Sequence, residues 1–429
     1  MSRPIPYPIH ASLHLLSELL HRTLAKYYLK LHSTTCDYRV HIEENMPAKL
    51  LVTACMCLAL EMQVSSDEKS AQPAQRQLWC SVGPTNDVRE SSGLALLPDG
   101  RVLVVGGHAD TINRQWRLIG TAELYDPKDE SWRPTGSLVQ PRQGVGTLVP
   151  LGNGKVLLAG EHDSRTGAEL YDPGTGKWAA TGYLQVGRGN HSTTLLKDGR
   201  VLIAGGVDFG AEGSPVFASA ELYDPKVEKW VATGSMMGLR TLHGAVLLPS
   251  GKVLVVGGRA MEDTGDPLAS AELFDPASGT WKQTDSMSIE RQNHTVILLR
   301  DGKVLIAGGG TGDAGSKKNL DSAEIYDPQT EKWAATGPMA HARRQFTATL
   351  LGDGRVLVAG GASLPFWIAL NSAEIYDPKS GTWSSASSMA TSRWNHRAVL
   401  LPSGQVLVVG GCGPTGNQHL KSVEIFSPP

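Results

Sequence analysis

RVLVVGG (residues 101–107), then fourteen variable residues, then AELYDP (122–127) and Trp132: this stretch decides the fold. The first segment is a nearly unbroken apolar run instead of an alternation of apolar and polar residues, which is how a strand reads when both of its faces are buried. Just before it, PDGR (98–101) is a tight glycine-containing turn that joins it to an earlier apolar strand opening at Arg89. AELYDP gives a third strand and the residues around Trp132 a fourth. One unit is therefore a four-stranded antiparallel sheet without a helix.

The same text recurs down the chain. Second strands read RVLIAGG (200–206) and KVLVVGG (252–258), after the turns KDGR (197–200) and PSGK (249–252). Third strands read AELFDP (271–276) and AEIYDP (323–328 and 373–378). A Trp followed ten residues later by an Arg appears seven times, at Trp79/Arg89, Trp132/Arg142, Trp178/Arg188, Trp230/Arg240, Trp281/Arg291, Trp333/Arg343 and Trp383/Arg393. Trp79 has no strands before it, and the last unit, from Arg393 through GQVLVVGG (404–411) and VEIF (423–426) to Pro429, has no Trp. Each end carries what the other lacks. The expectation is an all-β, seven-bladed β-propeller over residues 79–429, whose closing blade is shared between the strand near Trp79 and the C-terminal repeat, leaving no open sheet edge.

The Gly-Gly of the second strand, the Tyr-Asp-Pro of the third and the Trp of the fourth, in units 46 to 53 residues apart, resemble kelch repeats in the style of bacterial kelch proteins and the galactose-oxidase propeller. Two units depart from the pattern. The second has Gly160-Glu161 in place of Gly-Gly and is read with one extra residue in its hairpin turn (Gly152 to Lys155); the seventh has Phe426-Ser427-Pro428 in place of Tyr-Asp-Pro.

Composition agrees with many short strands: 48 Gly and 25 Pro, with 41% hydrophobic residues to fill a core. A formal net charge of −2 gives no basic footprint, so nucleic acid is not an expected partner. The five cysteines contain no CxxC pair, and no structural zinc site is read from their spacing. Cys80 and Cys412 fall in the closing blade, but a regular sheet places them about 9 to 10 Å apart, which predicts two unrelated thiols and no clasp.

Residues 1–78 carry none of the repeat. From Met46 the chain has a Lys, an apolar run from Leu50 to Leu60 and a polar stretch, the layout of an export signal. On that reading residues 46–78 are leader and linker, residues 1–45 are an upstream extension, and the protein is exported; otherwise it is cytoplasmic. In the other reading His10 to His32 form an amphipathic helix with Leu13, Leu16, Leu20 and Leu24 on one face, which is the one route to membrane contact.

Features that recur in every blade are read as architecture: the seven Arg, the seven Glu from Glu123 to Glu424, and the seven Trp. Arg opens the innermost strand, where seven charges could alternatively hold an anion. His191, His243, His294 and His396 lie three residues after that Arg, but Ser92 and Phe346 take the same position elsewhere, so these histidines are read as structural and not as metal ligands. No cofactor and no metal are expected.

The loops joining second to third strands vary from seven residues to fourteen, and they share a rim with the fourth-to-first connections. Off-motif aromatics gather there, and the expected ligand-binding residues are Trp116, Arg117, Tyr183, Phe209, Phe346, Phe366, Trp367 and Trp394. Arg114, His162, Arg165, Arg259, Glu262, Asp263 and Asp266 supply polar groups nearby. This points to a non-catalytic module, a monomer, that recognises a protein, peptide or glycan on its variable face. The kelch resemblance also implies two alternatives: a carbohydrate-active enzyme of the sialic-acid epimerase type, or a copper radical oxidase, which would need a Tyr–Cys pair, a second Tyr and two His. The only off-motif Tyr in the propeller is Tyr183.

Overall fold

The computed structural model describes residues 32–34, 37–39, 78–110, 116–142, 148–160, 166–261, 266–312, 318–364, 367–414 and 418–429. Two compact units divide the chain, Met1–Gln75 and Arg76–Pro429. Of the first, the described part is a two-stranded hairpin, His32–Thr34 against Asp37–Arg39. The helix expected from His10 to His32 and the leader from Met46 lie outside the described residues, as do Phe366, Arg114, His162, Arg165, Glu262 and Asp263 and the side chain of Trp116.

The second unit contains seven four-stranded antiparallel sheets and, among the described residues, no helix. Blade 1 runs Gly93–Leu96, Val102–Val105, Ala122–Asp126 and Ser131–Thr135; blades 2 to 6 follow in sequence order. Blade 7 takes Arg397–Leu400, Val406–Val409 and Val423–Ser427 from the C-terminus and Leu78–Val82 from the start of the unit, in the register Trp79 to Phe426 and Val82 to Val423. The first strands neighbour one another in a closed circle, with Arg397–Leu400 beside Gly93–Leu96. The seven-bladed ring and its shared closing blade are as the repeat spacing predicts.

The apolar second strands are buried throughout, Val102–Val105 being 0% exposed. Each sheet packs face to face on the next, and the last of these interfaces joins Val102, Val104 and Tyr125 of blade 1 to Leu407, Val409, Val423 and Ile425 of blade 7. The recurring Trp and Tyr or Phe stack within each blade with centroids near 5 Å, as in Tyr223–Trp230 (5.1 Å).

A buried ion pair ties each blade together. Arg89, Arg142, Arg188, Arg240, Arg291, Arg343 and Arg393 are 0 or 1% exposed, and each guanidinium meets the third-strand Glu of its own blade, at 2.6 Å for Arg142–Glu169 and 3.2 Å for Arg188–Glu221. In blade 4 Arg240 also donates to the carbonyls of Gly257 (3.0 Å) and Ser270 (3.1 Å). Glu272 in turn accepts the backbone N–H of Met237 at 2.7 Å, pinning the incoming connection. The backbone of the same Arg reaches the preceding blade: Arg240 N–H donates to Phe217 O, and its carbonyl accepts Gly206 N–H at 2.9 Å. Around the seam Gly411 N–H donates to Arg89 O at 2.9 Å, so blades 7 and 1 join like any other pair. All seven arginines are thus spent on architecture, leaving none to hold an anion in the channel.

Two expectations are corrected. The hairpin turn of blade 2 is not longer than the others: Leu151 N–H bonds Lys155 O just as Leu97 N–H bonds Arg101 O, both at 2.8 Å. The additional residue falls between Arg142 and Leu151, ahead of that turn. Cys412 is not joined to Cys80 and stays a thiol, but Cys80 is disulfide-bonded, so the expected pair of thiols is not found.

Two measurements probe this packing. Arg240→Ala strands the Glu272 carboxylate in the interior and should cost about 3–5 kcal/mol in urea unfolding. The Arg240→Met/Glu272→Leu double variant should cost clearly less than the two single losses summed; additive losses would remove the ion pair from its structural role. The second measurement concerns tyrosine hydroxyls. Tyr223 shares a 2.7 Å hydrogen bond with Thr181, whereas Tyr125, which faces the closing strand, has no partner for its hydroxyl. Tyr223→Phe should therefore destabilise by about 1 kcal/mol, while Tyr125→Phe should be neutral or stabilising.

Candidate functional site

In six blades the residues immediately after the clamp Arg and after the Gly-Gly are described, and most of them are buried. They pair as backbone bridges above the blade core: Glu90 with His108, Gly189 with Val207, Thr241 with Arg259, Gln292 with Gly310, Arg344 with Ala362 and Trp394 with Cys412. The glycines make this step possible. A Cβ on Gly258 would stand 2.4 Å from Thr241 O, and its φ of +87° suits glycine. The rim is thus the same backbone in each of these blades carrying different side chains, and three of its loops extend as short ribbons, His108–Asp110 with Trp116–Leu118, Gly310–Thr311 with Lys318–Asn319, and Ala362–Ser363 with Ile368–Ala369.

One corner of this rim gathers at blades 5 to 7. Arg344, 3% exposed, donates to Asn319 Oδ1 (2.7 Å) and Lys318 O (3.2 Å) and lies 5.6 Å from the Trp367 ring centroid. Its guanidinium sits where a Cβ on Gly310 would be, so a side chain at that position would displace it. Trp367, 40% exposed with φ +52°, stacks against Trp394 at 5.3 Å. Among the described residues no carboxylate pairs with Arg344, and burial, followed by the nearby Arg259 charge, pushes its pKa below the ordinary value. The Trp394 indole N–H and the Gln345 side-chain oxygen have no hydrogen-bond partner. A buried cation without a carboxylate partner among the described residues, a buried unused donor and an aromatic pair of which Trp367 is exposed meet at one place.

A second corner lies where blade 7 meets blade 1. Glu90 accepts from His108, His419, Asn395 and Cys412. Burial alone would raise its carboxyl, but these four hydrogen bonds hold it well below the usual carboxylate range.

The expected ligand-binding residues are spread unevenly. Trp367 and Trp394 come together as described. Tyr183 is 69% exposed, Phe209 is half-buried on the blade 3 loop, and Arg117 lies 3.8 Å from Asp87 on the blade 1 ribbon that also carries Trp116. Phe346 does not lie on the face. At 7% exposure it packs in the core between blades 5 and 6, its ring against Gly308, because it takes the position that histidine holds in other blades. There the His191, His243, His294 and His396 rings press on the first glycine of the preceding Gly-Gly position. Burial, followed by the neighbouring Arg188 or Arg291, pushes His191 and His294 down to about 3. Arg344, Asn319 and the Glu90 group were not anticipated, and the signal that marks them is the variable residue beside each invariant Arg and Gly-Gly.

On the opposite face, shallow clefts between blades, one of about 430 Å³ lined by Arg300, Asp353 and Asp377, recur with the turn sequence and reflect turn packing.

The kelch-repeats domain described for KLHDC2, KLHL20 and DRC7 matches residues 210–411. Kelch-like protein 40 of Mus musculus is 30% identical over 176 residues, 41% of this chain and 27% of that protein. Beta-scruin of Limulus polyphemus is 28% identical over 180 residues, 41% of this chain and 19% of that protein. The chain thus spans about a quarter or less of the length of these relatives. Among solved structures, a fungal alcohol oxidase of the AA5 family in complex with copper superposes with a TM-score of 0.66 at 18% identity, over 82% of this chain and 76% of the other. The structure of YjhT superposes with a TM-score of 0.54 at 14% identity, over 71% of this chain and 99% of the other. At these identities the likeness is one of fold.

The low-pKa histidines give a pH prediction. Unfolded, they take up protons near pH 6.5; folded, they resist until about pH 3. The unfolded state binds more protons across that window, so stability should fall as pH drops from about 6.5 towards 3. Replacing His191 and His294 with Phe, the residue blade 5–6 packing already accepts at position 346, should flatten that part of the curve; an unchanged slope would assign acid sensitivity to other groups.

Proposed function

Since the chain is a kelch-repeat β-propeller, we propose that it is a non-catalytic recognition module which binds acidic segments of proteins or peptides on its variable face, at the corner built by Arg344, Trp367 and Trp394. The observation that carries this reading is Arg344: a guanidinium 3% exposed, held by two neutral oxygens and one indole, with no carboxylate partner among the described residues. A buried cation is costly unless an anion reaches it, and a ligand carboxylate would supply that anion in the paired geometry arginine favours. The Trp367–Trp394 pair offers rigid aromatic area of the kind that anchors interfaces. Its partners are thus carboxylate-bearing chains, and neutral glycans would gain from the indoles alone.

The test is an array of peptides of constant length and graded Asp and Glu content, with neutral glycans on the same surface, probed with the full chain. Binding should rise with acidic content, and Trp367→Ala and Arg344→Gln should each weaken it about tenfold or more while melting stays close to the parent. Equal binding to neutral peptides or glycans, or indifference to both substitutions, would move recognition elsewhere on the molecule.

A further inference from the structure

At the junction of blades 7 and 1, three donor atoms converge on one carboxylate oxygen. Glu90 Oε2 lies 3.1 Å from His108 Nε2, 2.9 Å from His419 Nε2 and 2.8 Å from Cys412 Sγ. A carboxylate oxygen has about two lone-pair directions, so three donors on one oxygen exceed what hydrogen bonding alone arranges. The other oxygen, Oε1, is held by Asn395 Nδ2 at 2.9 Å, which orients the carboxylate and leaves Oε2 directed at the two imidazoles. The two rings stand edge to face at 5.2 Å, and the Glu90, His108 and His419 side chains are 4 to 8% exposed.

The backbone holds these groups firmly. Glu90 and His108 exchange two hydrogen bonds, at 3.2 and 3.1 Å; Cys412 exchanges two with Trp394 and bridges His419. We infer that Glu90, His108 and His419 form a binding site for a divalent cation of the zinc class, with the Cys412 thiol beside the same oxygen. The three ligand atoms lie within 4.8 Å of one another. Bonds of about 2.0 to 2.1 Å in tetrahedral array require ligand atoms about 3.3 Å apart, a few tenths of an ångström from the two separations found here. Two imidazoles and a carboxylate, with a thiol adjacent, suit zinc and not the all-oxygen preference of calcium or magnesium. Glu90 and His108 come from the N-terminal side of the ring, Cys412 and His419 from the last repeat, so the cation would fasten the two ends of the propeller across its seam.

The full chain, stripped with chelator and dialysed against zinc chloride, should retain one zinc per chain by elemental analysis, and its melting temperature should rise with zinc. His419→Asn, which keeps a donor towards Glu90, and His108→Ala should each weaken zinc binding about a hundredfold or more and abolish the melting shift. Cobalt(II) added to the stripped parent should show tetrahedral ligand-field bands, a readout that does not depend on a variant folding. A stripped, folded parent that takes up no zinc would overturn the site, as would uptake unchanged in both variants, which would assign it to histidines elsewhere.

Discussion

Each blade depends on a guanidinium and a carboxylate with almost no access to water. The Arg side chain crosses its own blade to the third-strand Glu, its backbone bonds the blade before, and the Glu holds the connection by which the chain enters. Such a pair is not a large source of net stability, because both charges must be desolvated. Its effect is geometric: with both terminal nitrogens of the guanidinium and the carboxylate of Glu committed, connection, second strand and third strand have one arrangement. Seven copies of one arrangement fix the rotation between blades and bring Arg393 round to meet Arg89.

Ring closure follows from the same interaction. Gly411 N–H finds the Arg89 carbonyl as Gly206 N–H finds that of Arg240, and Leu78–Val82 completes the outer edge of the sheet that the last repeat begins. One cost of splicing two ends into one blade is visible at Tyr125. Where other blades offer a threonine hydroxyl, as Thr181 does to Tyr223, the closing strand offers Val82 in the corresponding register, and the Tyr125 hydroxyl is left without a partner.

The two candidate corners lie on positions the clamp does not use. The residue after Arg and the residue after Gly-Gly sit on backbone held in place from below, so their side chains can differ without disturbing a blade. At blades 5 to 7 that freedom yields a buried arginine beside two indoles; at blades 7 and 1 it yields a carboxylate between two imidazoles and a thiol. Both corners use groups that would be costly in a core and are tolerable on a rim where partners can reach them.

By itself the amino-acid sequence determined the repeat, its count, the strand order of every blade, the splicing of Trp79 into the last sheet and the face on which loops vary, because these rest on periodicity and on local turn chemistry. It also marked Trp367 and Trp394. It placed Phe346 on the binding face, since its register with the packed histidines is a matter of depth in the blade, not of composition. Tertiary structure alone decided which variable residues meet. Positions 90 and 108 on one side and 412 and 419 on the other are distant along the chain and become neighbours only when the ring closes, and Arg344 reaches Asn319 only because adjacent blades are rotated to bring their loops together. Local propensity carries no information about either contact; the circular geometry that creates them is a property of all seven blades at once.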